Sequence, residues 1–183
     1  MQIRQMCDRG HDLTLQYNHK MIEIRRIQPH EWAIAKRLVY RVAYVIFKET
    51  RPLEEMIADF DSRGTLDDLH DIQRNYFDKG GIFLVTTREG EIVGTGAIRN
   101  FDGELCELKR LWLLTDYHGQ GLGYRMLQKL LTFARKRGYK RMRLETDAVA
   151  QRRAVEFYKR IGFREILIPN ATPDEDILME LEL

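Results

Sequence analysis

Glycines at 119, 121 and 123 open the stretch "HGQGLGYRMLQKLLTFARKRG" (118–138), in which apolar residues then recur at helical spacing: Leu122, Met126, Leu127, Leu130, Leu131 and Ala134. Each glycine lowers helix propensity by about 1 kcal/mol relative to alanine, so three at a helix start call for an offsetting use. The first N–H groups of a helix have no intrahelical acceptor, and the helix dipole adds partial positive charge there. An end stripped of side chains is therefore open to an anion, phosphate above all. Two common phosphate loops do not fit. A P-loop ends in Gly-Lys-Ser/Thr, whereas Tyr124 and Arg125 follow Gly123, and the dinucleotide fingerprint G-x-G-x-x-G differs from the G-x-G-x-G found here.

Other reactive residues offer less. The five histidines (11, 19, 30, 70 and 118) are nowhere paired at ligand spacing, and Cys7 and Cys106 match no metal pattern, so no metal is expected. Cys106 would be a nucleophile only beside a base, and reads better as a small buried hydrophobe. The basic run "RKRGYKRMR" (135–143) spreads over a helix end and a strand. It reads as a solvated face that could attract a phosphate by charge, not as a nucleic-acid surface. Thirty basic residues against 28 acidic leave a net charge of +2, too balanced to point to nucleic acid. Arg41 interrupts the best apolar run, "LVYRVAYVIF", so no membrane partner is expected. Residues 1–20 hold no signal-peptide core, and the thiols read as reduced, which together imply a cytoplasmic protein.

These residues need elements to position them. Residues 1–20 are polar and aperiodic and read as a detachable N-terminal extension, with Met21 as an alternative start. From there "MIEIRRI" alternates as a strand. Pro29 opens a helix carrying Trp32, Ala35, Leu38, Val39, Val42, Val45 and Ile46 to about Lys48. Pro52 opens a shorter one with Leu53, Met56, Ile57 and Phe60 on one face. Thr65 is placed to cap a third, with Asp68 three residues on. "GIFLVTT" and "EIVGTGAIR" flank "REG" as a hairpin. "ELCELKRLWLL" is a long strand running to Thr115, followed by the glycine segment and its helix. "KRMRLET", the helix "AQRRAVEFYKRI", "FREILI" and "DILMELEL" complete the chain, with a loop around Pro169 and Pro173. The order predicts one α/β domain over 21–183: a central twisted, mixed α+β sheet flanked by helices.

The glycine loop and its surroundings resemble the Gcn5-related N-acetyltransferase (GNAT) superfamily. That family's acetyl-CoA loop has Arg or Gln, two residues, Gly, one residue, then Gly or Ala. His118 stands at the first place, and Gly121 and Gly123 match the glycines. "QRRAVEFYKRIGF" is similar to the second family signature, with Ala154, Phe157, Tyr158, Gly162 and Phe163 matching and Gln151 in place of the usual Asn. "GTGAIR" resembles the third strand, and the element order matches from Met21 to Leu183.

The resemblance implies acetyl transfer from acetyl-CoA to a primary amine, directly, in a ternary complex. It places the cosubstrate on Leu111, Trp112, Leu113, His118, Gly119, Gln120, Gly121, Leu122, Gly123, Gln151 and Tyr158. It implies that Tyr158 protonates the departing thiolate and that N–H groups near Leu111–Leu113 meet the thioester carbonyl where the fourth strand splays from the fifth. Glu107 takes the place of a general base, with an ion pair to Lys109 or Arg110 as the alternative reading. Phe157 and Phe163 read as core. A module that binds acyl-CoA without turnover, and an enzyme using another acyl group, are the rival readings. The acceptor side falls to residues 40–80, whose Asp59, Asp61, Asp67 and Asp68 could welcome a cationic amine. Small molecule, amino acid, antibiotic and protein amine all remain open as acceptor, and so does a homodimer.

Overall fold

The computed structural model describes residues 22–166 and 176–183. The N-terminal extension, Met21, the end of "FREILI" and the loop around Pro169 and Pro173 lie outside the described residues. Among the described residues seven strands form one sheet: β1 (Ile22–Arg26), β2 (Ile82–Arg88), β3 (Glu91–Asn100), β4 (Leu105–Leu113), β5 (Arg141–Asp147), β6 (Arg164–Ile166) and β7 (Asp176–Glu182). Their spatial order is β1-β2-β3-β4-β5-β7-β6. Every pairing is antiparallel except β4 with β5. The "REG" turn closes the β2–β3 hairpin with Glu89 and Gly90 both at positive φ, the twist that a tight hairpin needs.

Among the described residues four α-helices cover the sheet: α1 (Trp32–Ile46), α2 (Leu53–Ser62), α3 (Leu122–Arg137) and α4 (Arg152–Ile161). Two apolar layers result. On one face, Leu127 and Leu130 of α3 and Val155 of α4 pack with Ile98, Leu108, Leu144 and Met179. On the other, Ala35 and Val39 of α1 and Met56 of α2 pack with Phe83, Val85 and Ala97. Gly96 lets α3 come close to β3, since a Cβ there would lie 2.8 Å from the Met126 side chain.

The helix expected from Thr65 is not formed. A 3₁₀ turn (Asp67–Leu69) and a π turn (Gln73–Phe77) stand there instead, with no side-chain cap. Asp68 is drawn away by tertiary partners. Arg110 binds its carboxylate through Nε at 3.0 Å and through Nη2, and the Tyr76 hydroxyl donates to it as well. Burial alone would raise the Asp68 pKa, but the Arg110 guanidinium outweighs it and holds the carboxyl below its ordinary range.

Two irregularities interrupt β4, one on each edge. Its parallel ladder with β5 has three rungs, Leu105↔Arg141 to Glu107↔Arg143, and then the strands part. On its other edge, Thr95 pairs with Trp112 and Ala97 with Lys109, so Gly96 faces both Arg110 and Leu111 across a β-bulge. Arg110 sits at φ 55. The Thr95 hydroxyl donates to the Arg110 carbonyl at 2.7 Å, and the buried Asp68 pair anchors the side chain.

Candidate active site

The α3 N-terminus is bare. Gly121 is the N-cap residue at φ 73, no side chain caps the end, and the first turn carries no acid. Gly119 and Gly121 need their positive φ for the turn, a conformation other residues adopt only with strain. Gly123 does not need one, and a Cβ there would meet nothing within 4 Å. Gly123 therefore has neither a conformational nor a packing reason to lack a side chain. What its absence does is leave the unpaired N–H groups open to approach from the adjoining cleft.

That cleft has a volume of about 750 Å³. Leu111, Trp112 and Leu113 of β4 line it, with His118, Gly119, Gly121, Leu122 and Gly123 of the loop and Gln151 and Tyr158 of the α4 segment. Of the residues assigned to the cosubstrate from sequence, Gln120 alone is not in the lining. Its side-chain amide donates to the Asp116 carbonyl at 3.0 Å. The His118 Nε2–H donates to the Leu113 carbonyl at 2.9 Å, tying the loop to the end of β4 and leaving only Nδ1 free. Gln151 is the N-cap residue of α4, but makes no capping bond.

Tyr158 is buried, with its ring centroid 5.4 Å from that of Phe157 and 5.6 Å from that of Phe163. Among the described residues its hydroxyl has no hydrogen-bond partner. Burial pushes the phenol well above its usual range, so it carries its proton at neutral pH. Phe163 is core as expected. Phe157 is half-buried and lines the cleft.

Glu107 lies on the far face of β4. Its neighbours Cys106 and Leu108 belong to the α3 layer, and alternation along a strand sends Glu107 the other way. Its Oε2 is 2.5 Å from Arg99 Nε, and its Oε1 is 3.8 Å from Arg143 Nη2. The partners are thus cross-strand arginines instead of the adjacent Lys109 and Arg110. Glu107 stands at the last rung before β4 and β5 separate, outside the cleft lining. Cys106 is fully buried. Burial pushes its thiol up to about 12, and Sγ–H donates to the Arg141 carbonyl at 3.5 Å, which leaves no thiolate for covalent transfer.

Several lining residues escaped the sequence reading. Val42, Val45 and Ile46 at the end of α1 reach the cleft, and Val45 is 57% exposed, where the helical pattern predicted core. The basic lining is Arg152, Arg153 and Arg160 of α4. The "RKRGYKRMR" segment is elsewhere. Arg135–Arg137 end α3, about 24 Å of helix away from Gly121. Arg141 is engaged by Glu180, and Arg143 lies on the Phe101 ring. The spacing of Arg153, Phe157 and Arg160, four and then three residues apart, was a readable signal of one α4 face.

On the acceptor side, the acids already have partners. Asp61 accepts from Tyr40 and Lys36, Asp59 pairs with Arg51 and Arg63, and Asp68 is held by Arg110. The expected attraction for a cationic amine is spent within the chain, with Asp67 left at 3.8 Å from His70. Among the described residues no three His, Cys, Asp or Glu side chains converge on a metal-sized site, and no helix is long and apolar enough to cross a membrane.

Comparison with known proteins points to one group. The family model described as "Acetyltransferase (GNAT) family" matches residues 34–163. The uncharacterized N-acetyltransferase YjgM of Escherichia coli is 34% identical over 104 residues, 55% of this chain and 60% of that protein, so the chain spans less than two thirds of it. The uncharacterized N-acetyltransferase C1271.07c of Schizosaccharomyces pombe is 32% identical over 136 residues, 72% of this chain and 82% of that one. Among solved structures, the PaiA N-acetyltransferase of Thermoplasma acidophilum in complex with coenzyme A superposes with a TM-score of 0.72. That match covers 89% of this chain and 99% of PaiA at 19% identity, a likeness of fold.

Proposed function

The chain belongs to the acetyltransferase (GNAT) family, and we propose that it moves an acetyl group from acetyl-CoA to a primary amine by direct attack in a ternary complex. The observation that carries this reading is Gly123, bare at the mouth of a helix with no intramolecular reason to be so. The open N–H groups of α3 bind the pyrophosphate, with the positive end of the helix dipole behind them. Arg153 and Arg160 add cationic charge at the same cleft. Coenzyme A bound to PaiA supports the same assignment here by likeness of fold.

Acetyl-CoA supplies an activated acyl thioester. The chain supplies the rest. Beyond Glu107 the edge of β4 facing away from β3 has no ladder partner among the described residues, and backbone N–H groups on that edge meet the carbonyl oxygen as it gains charge. Tyr158 holds its proton in a dry wall of the cleft and gives it to the departing sulfur, a good acceptor there. Glu107, on the opposite face and fixed by Arg99, takes the proton that the attacking amine must lose, through water.

The test is free-thiol release from acetyl-CoA over a panel of amines, with the product identified by mass spectrometry. Release that follows the amine and yields an N-acetylated product supports the reading. Tight coenzyme A binding with no turnover on any amine would point to the binding module instead.

A further inference from the structure

Four charged residues share one face of the sheet where β4 and β5 part. Arg99 and Glu107 are cross-strand partners, Glu107 and Arg143 are cross-strand partners, and Lys109 is two residues on from Glu107. Their neighbours Ile98, Leu108, Met142 and Leu144 all lie in the α3 layer, so these four side chains occupy the opposite face. The glycine loop and Tyr158 of the cosubstrate cleft lie on the α3 side, and the end of α1 reaches its lining as well. An acceptor that meets the thioester through the gap must therefore come past this group.

The charges there do not cancel. Glu107 is one carboxylate serving Arg99 at 2.5 Å and Arg143 at 3.8 Å. The Arg143 guanidinium lies 3.2 Å from the Phe101 ring centroid, and its Nε–H is buried with no hydrogen-bond partner among the described residues. Lys109 is half-buried and has no ion pair or side-chain hydrogen bond among the described residues. Burial lowers its pKa. The pull of Glu107, and less strongly of Asp68, opposes that shift, while Arg110 and Arg99 add to it. Glu145, next on this face of β5, is exposed and makes no such bond either. Two donors on adjacent strands thus stand unsatisfied beside the gap, whereas the nearby acids of residues 59–68 are mostly engaged by cations of the chain.

We propose that the acceptor is a primary amine that also carries a carboxylate, as an amino acid does, with Lys109 and Arg143 holding the carboxylate and Glu107 facing the amine. This deepens the acyl-transfer reading and rests on it. An anion held by a buried lysine and an arginine gains charge-assisted hydrogen bonds that a bare amine lacks. A polyamine, by contrast, would bring further positive charge to a face already cationic.

Matched pairs test it: amino acids against the amines left when their carboxylates are removed, with a polyamine alongside. Two readouts are taken, kcat/KM from thiol release and calorimetric binding to the coenzyme A-loaded protein. The amino acid of at least one pair is expected to win by roughly tenfold or more. Lys109→Gln and Arg143→Gln should each collapse that ratio, Arg143→Lys should restore part of it, and the coenzyme A thermal shift confirms that each variant is folded. Preference for bare amines or the polyamine across the panel overturns the proposal, and so does a ratio unchanged in both variants. Amino-acid binding without turnover would contradict the transferase and leave the anion site standing. Turnover of bare amines alone would do the reverse, and neither binding nor turnover would remove both.

Discussion

Tyr158 combines a buried ring with a hydroxyl that has no hydrogen-bond partner among the described residues, and that pairing lets its chemical role be tested apart from its packing. Tyr158→Phe keeps the ring contacts and removes only the proton donor. The expected result is a loss in kcat on the order of a hundredfold, with coenzyme A affinity near wild type. Wild-type kcat would reduce the residue to packing. Glu107→Gln should behave differently with pH. If the carboxylate takes the amine's proton, the defect shrinks as pH rises, because more amine arrives neutral. Raising pH brings no proton to sulfur, so Tyr158→Phe shows no such rescue. A Glu107→Gln defect constant across pH, with lowered thermal stability, would assign the side chain to its Arg99 pair alone. The chemistry of these two residues was readable as a pair of candidates. Strand alternation places Glu107 on the face opposite α3, but which basic neighbours it meets depends on register with β3 and β5.

At the scale of elements, β4 carries the site because two long-range features break its regularity. The bulge at Arg110 places a non-glycine residue at φ 55, held by Asp68 from 42 positions away. Local sequence placed Asp68 three residues into a helix capped by Thr65, because propensity acts within a few residues, whereas the ion pair with Arg110 depends on the sheet meeting the 3₁₀ turn. Asp68→Asn leaves Arg110 buried against a neutral partner. It should cost about 3 kcal/mol or more of stability, measured by urea unfolding. An unchanged midpoint would show that the bulge does not need the pair. The entry to α1 has its own tie. Arg25 of β1 donates to the Glu31 carboxylate at 2.8 and 2.6 Å, and the Gln28 N–H donates to it at 2.8 Å. These bonds, the Arg25 pair foremost, hold the Glu31 carboxyl down at about 2 against a usual 4.5. A depressed carboxyl contributes its full stability above about 4.5 and loses it as pH falls toward 2. Glu31→Gln should therefore lower stability at pH 7 by about 1–3 kcal/mol and flatten the acid limb of the wild-type curve. Parallel acid limbs in the two proteins would contradict this.

For the whole molecule, the cleft lies beside the place where β4 and β5 separate, lined by α3 and α4 from one face of the sheet and by the end of α1 from the other, while Glu107, Lys109 and Arg143 stand outside its lining on the face opposite α3. The strand order and the glycine loop were legible because period-two alternation and a bare helix start are local signals. The part played by α1, and the cationic face around Lys109, were not, since both arise from packing between segments tens of residues apart. The proposed cosubstrate cradle is the α3 N-terminus, and Gly123→Glu probes it without disturbing the fold. Gly123 needs no positive φ, a Cβ there meets open space, and an acid in the first turn favours the helix. The measurement is the thermal stabilisation given by coenzyme A. At a hundred times its Kd the ligand should stabilise the wild-type protein by about 2.7 kcal/mol. Gly123→Glu should match or exceed the wild-type stability without ligand, yet show none of that gain. A full coenzyme A shift in Gly123→Glu would contradict the assignment of this helix end as the cosubstrate cradle.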